Sequence, residues 1–254
     1  MIVGFPLFFA RVFGKSWQTP HLRIIYFHDV PRESLGRFTA ILDHFSKLFE
    51  FVPYSRGIAM LLRNEIQRPT MVVTFDDANE GVYENALPIL AARGITACVF
   101  TVADYVRAGR TYREKHATPV MNWRMLERCL EEGWEIGNHT YSHRNLVTCS
   151  RDEILREVEN NRKCLESQLK CAVVHFAYPY GQFTPQTINV IRDSGLCDTQ
   201  ATTQRGQMRF PHDPHFIRRD RIDMEKTPDR IEVLMRLADR LYWMRHVRKF
   251  LRKK

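Results

Sequence analysis

The chain has 254 residues, of which 44% are hydrophobic and 26% charged, with 12 glycines and 12 prolines. These proportions are typical of a folded domain and exclude a collagen, a coiled coil, a disordered acidic tail and a polytopic membrane protein. The net charge of +9 is concentrated at one end, because residues 240–254 carry seven Lys and Arg and no acid, which leaves +2 for the other 239 residues. The body of the chain is therefore nearly neutral, which does not favour a nucleic-acid binder.

The beginning of the chain and its cysteines bear on where it works. Residues 1–15 are apolar, but their cations follow the apolar stretch and no small-residue cleavage site is present, so we expect no secretory signal peptide. Such a segment either docks on the domain or anchors it shallowly in a membrane, and the sequence leaves both open. Six cysteines without a CxxC pair indicate reduced thiols in a reducing compartment.

Short apolar runs alternate with helical patterns along the chain. The predicted strands are 22–27, 70–75, 95–102, 134–138 and 173–177, with weaker candidates near Phe51 and Leu196. This alternation predicts a parallel sheet in an α/β barrel or in an open doubly wound fold. Neither GxGxxG nor GxxxxGK[ST] occurs, so nucleotide binding has no local support.

The predicted helices carry start and stop signals. Ser150 with Glu153 three residues later is a capping box, Thr184-Pro185 opens a helix that Gly195 closes, and Thr227-Pro228 precedes the last helix. An earlier helical face is indicated by the spacing of Phe38, Ile41, Leu42, Phe45, Leu48 and Phe49.

Polar residues follow four of the predicted strands at once. His28-Asp29 follows the first, Asp76-Asp77 the second, His139 the fourth and Tyr178-Pro179-Tyr180-Gly181 the fifth. Because the carboxyl ends of parallel strands converge on one face, we expect these groups to share one rim, where active sites of such folds are built.

His139 and His143 have the spacing of two imidazoles one helical turn apart. Alone, such a pair is typical of packed or solvated histidines, and an Asp-Asp pair alone is typical of a helix cap or a turn. Two histidines with a carboxylate from another strand end form a catalytic zinc-type set. The Glu of HExxH is absent, so Asp76 and Asp77 would supply both missing parts: one carboxylate on the metal and one facing the water.

These motifs resemble those of the polysaccharide deacetylases of the NodB-homology type, carbohydrate esterase family 4. Residues 74–77 are similar to the family's TFDD motif, 139–143 to its H[ST]xxH motif and 176–181 to its third motif, in the family's order. The resemblance spans roughly residues 22–222. It implies a distorted (β/α) barrel with a catalytic domain over 21–225, between an apolar segment over 1–20 and a basic C-terminal helix over 226–254.

The resemblance also implies a reaction: metal-dependent removal of an acetyl group, foremost N-acetyl, from an acetylated carbohydrate or glycolipid. It makes Asp77, His139 and His143 ligands of a divalent ion, with Zn²⁺ expected and Co²⁺, Ni²⁺ or Mn²⁺ as alternatives. It makes Asp76 the base for a metal-activated water that attacks the acetamide carbonyl, and it places the Tyr180 backbone N–H at the oxyanion.

Four positions depart from the family pattern. Ala78 stands where the family has Gly, and Ala177 where it has an Arg that orients the base. The fourth motif has no clear match near 193–198, and the late Leu-x-His motif that supplies the acid is missing. The Tyr26–Val30 segment resembles the first-strand motif of the poly-N-acetylglucosamine deacetylase branch, which assigns the acid to His28, with His215 as the alternative.

The sequence leaves two alternative functions: a catalytically weak or inactive carbohydrate-binding protein of this fold, and a nucleic-acid binder, which the nearly neutral body of the chain disfavours. The basic tail interleaves aromatic and aliphatic residues with its cations. Such a helix either lies on an anionic membrane surface or is simply solvated. We expect a cytoplasmic protein in peripheral contact with the inner face of the membrane.

Overall fold

The computed structural model describes residues 17–109 and 119–251, with side chains up to residue 240. Its strands are β1 (His21–Phe27), β2 (Glu50–Phe51), β3 (Pro69–Asp76), β4 (Ala97–Thr101), β5 (Glu135–Asn138), β6 (His175–Ala177), β7 (Thr199–Ala201) and β8 (Asp220–Arg221). Its helices are α1 (Leu35–Ser46), α2 (Tyr54–Leu62), α3 (Leu87–Ala91), α4 (Ala103–Ala108), α5 (Trp123–Glu131), α6 (Arg151–Leu169), α7 (Pro185–Ser194) and α8 (Pro228–Leu251).

The strands form one parallel sheet in the order β7-β6-β5-β4-β3-β1-β8, with β2 beside β3. The sheet curls so that its edges meet: Ile217 N donates to Gln200 O at 2.9 Å, and Thr202 N donates to Ile217 O at 2.7 Å. This is the distorted (β/α) barrel that the sequence predicted.

Apolar residues explain the layers. All seven residues of β1 are buried, since a strand with helices on one side and the barrel interior on the other exposes neither face. Outside the sheet, Phe38 of α1 packs edge-on against Phe27, with ring centroids 5.2 Å apart, and Phe27 stacks on Phe75 of β3 at 5.6 Å. Inside, Tyr54 packs against Phe100 at 5.8 Å. These contacts fix the carboxyl ends of β1, β3 and β4 side by side.

Most predicted elements are present, with shifted ends. The capping box of α6 is formed, and α7 is capped by Thr184 at its start and by Gly195 at its end, as predicted. The predicted strand near Leu196 begins only at Thr199, and β8 was not predicted. The expected helical face stops early, because α1 ends at Ser46 and Leu48 lies beyond it, 37% exposed.

Three further observations concern the molecule as a whole. All six cysteines are unpaired thiols, as expected. Within the part of the chain that the structure describes, no helix combines the length and apolar character needed to cross a bilayer. The expected last helix is present as α8, and side chains beyond residue 240 lie outside the described part.

A buried ion-pair cluster ties α8 to the barrel. Arg23 of β1 donates to Asp220 of β8 at 2.5 Å and to Asp239 of α8. Asp239 also accepts hydrogen bonds from the Trp17 indole at 3.1 Å and from Gln207 N at 2.9 Å. The Arg23 side chain is fully buried, so its charge depends on both carboxylates.

Candidate active site

A cavity of about 440 Å³ opens at the carboxyl ends of the strands. It brings together the residues predicted to be functional, namely His28, Asp76, Asp77, His139, His143 and Tyr180, and it is also lined by Tyr26, Asp29, Asn79, Tyr178, Gly181, Thr203 and Arg221. His215 is not among the lining residues; its Nδ1 lies 3.1 Å from Gln200 Nε2.

Asp77, His139 and His143 converge inside this cavity. The Asp77 Oδ1 atom lies 3.5 Å from His139 Nε2 and 3.3 Å from His143 Nε2, and one ligand atom from each residue falls within 4.8 Å of the others. All three side chains are buried. His139 Nδ1 lies 2.8 Å from Ala177 O, so it carries the proton and leaves Nε2 free to coordinate.

The three residues fit a divalent cation. Both oxygens of Asp77 are buried and have no hydrogen-bond partner among the described residues, which is costly unless a cation binds there. Burial raises the pKa of Asp77, but the two imidazoles outweigh it and hold the pKa well below its ordinary value. Two imidazole nitrogens and one carboxylate oxygen are a donor set typical of zinc.

The segment that carries the two histidines is not helical, which corrects the sequence-based interpretation. Thr140 and His143 have φ of 64° and 58°, in the left-handed region, and the chain between them forms a bend. The imidazoles meet because the chain reverses there. Asp77, Ala78 and Tyr180 also have positive φ, so five of the seven non-glycine residues with positive φ in the described ranges lie at or beside this cavity. Backbone strain of this kind is concentrated at functional sites.

Asp76 is held by an arginine that the sequence reasoning missed. Arg219, just before β8, donates to Asp76 Oδ1 at 2.6 Å and to Oδ2 at 2.9 Å. Burial raises the pKa of Asp76, yet the Arg219 guanidinium outweighs it and keeps the pKa below its ordinary value. The guanidinium is fixed over the Tyr26 ring at 4.7 Å and the Phe100 ring at 5.0 Å.

A sequence signal for Arg219 existed. Ile217, Arg219 and Arg221 alternate along an extended run, which would place them on one face of a strand. The partner carboxylate lies 143 residues away, so only the closed barrel reveals the pairing.

His28 lies at the end of β1, where Asn79 Nδ2 donates to its carbonyl oxygen at 2.8 Å. Its ring is 5.6 Å from the Tyr26 ring. Burial lowers the pKa of His28, and the carboxylates of Asp76 and Asp77 oppose that effect only in part. Of the two histidines considered for the acid, only His28 faces the cavity.

Tyr180 stands at the cavity rim on the turn Pro179–Gly181. Its side chain is 59% exposed, and its ring lies edge-on to His143 with centroids 4.6 Å apart. Gly181 allows the turn to sit close to the next strand end, because a Cβ there would lie 2.2 Å from Thr203 Oγ1. An exposed aromatic ring beside a polar cavity is suited to stacking on a sugar ring.

A second group of possible ligands, His44, Asp229 and Glu232, lies between α1 and α8. His44 Nε2 is 2.7 Å from Glu232 Oε2, and Glu232 Oε1 accepts from Arg236 at 2.7 Å. Asp229 is 90% exposed at its side chain. This group is already paired at the surface, in contrast to the unpartnered oxygens of Asp77.

A family model described as polysaccharide deacetylase matches residues 63–197, which is more than half of the chain. The chain belongs to the polysaccharide deacetylase family. A poly-beta-1,6-N-acetyl-D-glucosamine N-deacetylase of Staphylococcus aureus is 27% identical over 161 residues, covering 60% of this chain and 52% of that protein. A chitooligosaccharide deacetylase of Sinorhizobium fredii is 26% identical over 130 residues, covering 50% of this chain and 54% of that protein. The chain thus spans about half the length of these curated relatives.

Solved structures support the fold of this deacetylase family. The Streptococcus pyogenes deacetylase PplD in complex with acetate has a TM-score of 0.74 at 21% identity, covering 85% of this chain and 99% of that one. The structure of IcaB from Ammonifex degensii gives 0.70 at 23% identity, covering 87% and 98%.

The family's missing motif arginine has a structural substitute here. Ala177 is buried, and its carbonyl oxygen orients His139, while Arg219 supplies the guanidinium to Asp76. Ala78 adopts the left-handed conformation, with φ of 54°, that a glycine would adopt more easily. His28 and Arg219 both lie outside the matched region 63–197, so they complete the deacetylase cavity from either side of it.

Proposed function

We propose that this polysaccharide deacetylase removes N-acetyl groups from an acetylated sugar or glycan, using a divalent cation held by Asp77, His139 and His143. The observation that carries the proposal is the pairing of Asp76 with Arg219 beside these three residues in one cavity. A divalent cation bound there would polarise the acetyl carbonyl and lower the pKa of a water molecule. Zn²⁺ suits the donor set best, with Co²⁺, Ni²⁺ or Mn²⁺ as alternatives.

Each remaining role belongs to a residue of the chain. Asp76 is kept ionised and oriented by Arg219, so it accepts the proton of the attacking water. His28 donates a proton to the departing amine, which is a poor leaving group until protonated. The Tyr180 backbone N–H donates to the oxyanion, a contact that is worth about 3–4 kcal/mol in a comparable oxyanion hole.

Two observations support an enzyme over an inactive carbohydrate-binding protein of the same fold. The departures at Ala78 and Ala177 favour an inactive protein, but a guanidinium still reaches Asp76, because Arg219 donates to both of its carboxylate oxygens. The unpartnered oxygens of Asp77 would only destabilise a protein that had no cation to bind.

The first test measures acetate release from oligomers of N-acetylglucosamine, linked β-1,6 or β-1,4 because the named relatives act on such sugars. We expect release that stops with a chelator and returns on addition of Zn²⁺. Turnover that persists in metal-free protein would contradict the metal's role.

The second test assigns the residues. His139→Ala and His143→Ala should lose the metal and the activity, whereas Asp76→Asn should keep the metal and lose nearly all turnover. His44→Ala is the matched control, because it removes an imidazole from the surface group and should leave metal content unchanged. Full metal occupancy in His139→Ala would refute the ligand set.

The third test assigns the acid. His28→Ala should lower kcat about 10²–10⁴-fold, and less on an O-acetyl ester, whose leaving group depends less on protonation. His215→Ala should retain activity, because His215 does not line the cavity. The opposite pattern would transfer the acid role to His215.

A further inference from the structure

Arg219 and Arg221 lie on one face of the chain at β8, and of these two only Arg219 has a carboxylate partner among the residues that the structure describes. Arg219 and Arg221 are two residues apart, so their side chains lie on the same face of the chain, about 7 Å apart along it. Arg219 is fully buried, and its two terminal nitrogens, Nη1 and Nη2, both donate to Asp76. Arg221 is exposed, pairs in register with Tyr26 of β1 and lines the cavity.

Arg221 makes no side-chain hydrogen bond or ion pair within the described residues. Of the two nearest acids along the chain, Asp220 is paired with Arg23 and Asp223 with Lys226. Asp29 also lines the cavity, and its Oδ1 accepts from Val30 N at 2.8 Å, but no ion pair joins it to Arg221 among the described residues. Among the cavity-lining residues that the structure describes, Arg221 is the only arginine or lysine, and a guanidinium offers five N–H donors.

Resting on the function proposed above, we propose that Arg221 binds an anionic group, a phosphate or a carboxylate, carried by the acetylated sugar or by the unit next to it. A planar guanidinium matches both anions in bidentate geometry. Arg221 and Asp76 line the same cavity, so the anion would lie near the acetyl group.

The substrate class is accordingly an anionic acetylated glycan or sugar, with the neutral acetylated oligomer as the weaker substrate. Three carboxylates line the cavity, and one of them, Asp29, accepts a hydrogen bond from Val30 N. Asp76 is neutralised by Arg219, and Asp77 faces two imidazoles.

The experiment compares three matched oligosaccharides of N-acetylglucosamine: neutral, carrying a phosphate monoester, and carrying a carboxylate. We expect Arg221→Gln to lower kcat/KM about 10- to 100-fold on one or both anionic oligomers, the range that one charge-assisted contact supplies. The value of kcat/KM on the neutral oligomer should change less than about twofold. Loss on the phosphate arm alone identifies a phosphate site, and loss on the carboxylate arm alone a carboxylate site.

Arg205→Gln is the matched control. Arg205 is an exposed arginine in the preceding loop and does not line the cavity. Its replacement removes the same charge, so kcat/KM should stay at the wild-type value on all three oligomers. Equal losses on neutral and anionic oligomers in Arg221→Gln would overturn the proposal, as would a wild-type protein that does not prefer either anion.

A binding measurement separates this inference from the proposed function. In the Asp76→Asn background, Arg221→Gln should raise the Kd for the phosphorylated or carboxylated oligomer by the same 10- to 100-fold, and added salt should reduce the difference. If the wild-type protein released no acetate from any oligomer, the deacetylase proposal would fail, while this binding difference would still decide the role of Arg221. An unchanged Kd refutes it.

Discussion

At the scale of single residues, the pairing of Asp76 with Arg219 fixes the orientation of the carboxylate that we propose as the base. Asp76 and Arg219 form a buried ion pair, so removal of either side chain leaves the other charge buried without a partner. The two hydrogen bonds aim the carboxylate into the cavity and cannot both be made by a lysine.

We expect Arg219→Lys to lower kcat about 10- to 100-fold while metal content stays at the wild-type level. Lysine keeps the positive charge but offers a point donor, so Asp76 loses its fixed orientation. The effect should vanish in the Asp76→Asn background, because a residue that acts through Asp76 has nothing left to position. Arg205→Lys serves as the control. An equal further loss on top of Asp76→Asn would show that Arg219 acts on the reaction independently.

At the scale of elements, the ends of the helices show where sequence and structure agree. The caps of α6 and α7 could be predicted because a cap is a local interaction between residues three apart. The strand ends that carry Asp76-Asp77 and His139 could be predicted because apolar runs stop there. Two features could not be predicted from the sequence. The chain reverses at Thr140–His143 and is not the helical turn that the motif spacing suggests, and β8 has only two residues, too few to produce a pattern.

The helix ends give a paired stability prediction. Lys170 follows α6 in the left-handed conformation, with φ of 54°, and is exposed, so Lys170→Gly should raise the free energy of unfolding by about 0.5–1 kcal/mol. Gly195 follows α7 with φ of 65° and open space around its Cα, so Gly195→Ala should lower it by about 1 kcal/mol through backbone strain alone. Denaturant unfolding measures both. Shifts of the same sign in the two variants would contradict this account.

At the scale of the whole molecule, stability should depend on one buried imidazole at the start of β1. His21 is fully buried, its Nδ1 lies 2.7 Å from Thr19 O, and its Nε2 has no hydrogen-bond partner. Burial is the main cause that lowers the pKa of His21 from 6.5 to about 4. Between these values the unfolded chain binds a proton that the folded chain does not, so protonation favours unfolding.

We therefore expect the free energy of unfolding to be highest above about pH 6.5 and to fall as the pH drops towards 4, with His21 contributing up to about 3 kcal/mol of the loss. His21→Asn keeps a donor for Thr19 O but does not titrate. The difference in stability between wild type and this variant should shrink or reverse as the pH falls. Parallel curves across that range would exclude His21 as the source.

The C-terminal helix carries the proposal that the protein contacts membranes from the cytoplasmic side. We expect the full chain to sediment with anionic but not neutral vesicles, to dissociate with salt, and to lose binding on truncation after Asp239, which leaves the Arg23–Asp239 pair in place. A chain with its last five cations replaced by glutamine tests charge without shortening the helix. Equal recovery in the supernatant with both lipids would make the tail an ordinary solvated helix.

Arg219 and Asp220, at the start of β8, point to opposite faces of the strand, and each contacts a side chain of opposite charge. Arg219 reaches inward to Asp76, and Asp220 reaches outward to Arg23. A slip that moved Asp220 into the place of Arg219 would bring a carboxylate against Asp76 and the Arg221 guanidinium against Arg23, replacing two attractions with two repulsions. These two ion pairs therefore fix the register of β8, which its two residues of backbone pairing could not do alone. Length changes in the loop over 202–216 beyond Thr203, which itself lines the cavity, would therefore leave the Arg219–Asp76 pair in register.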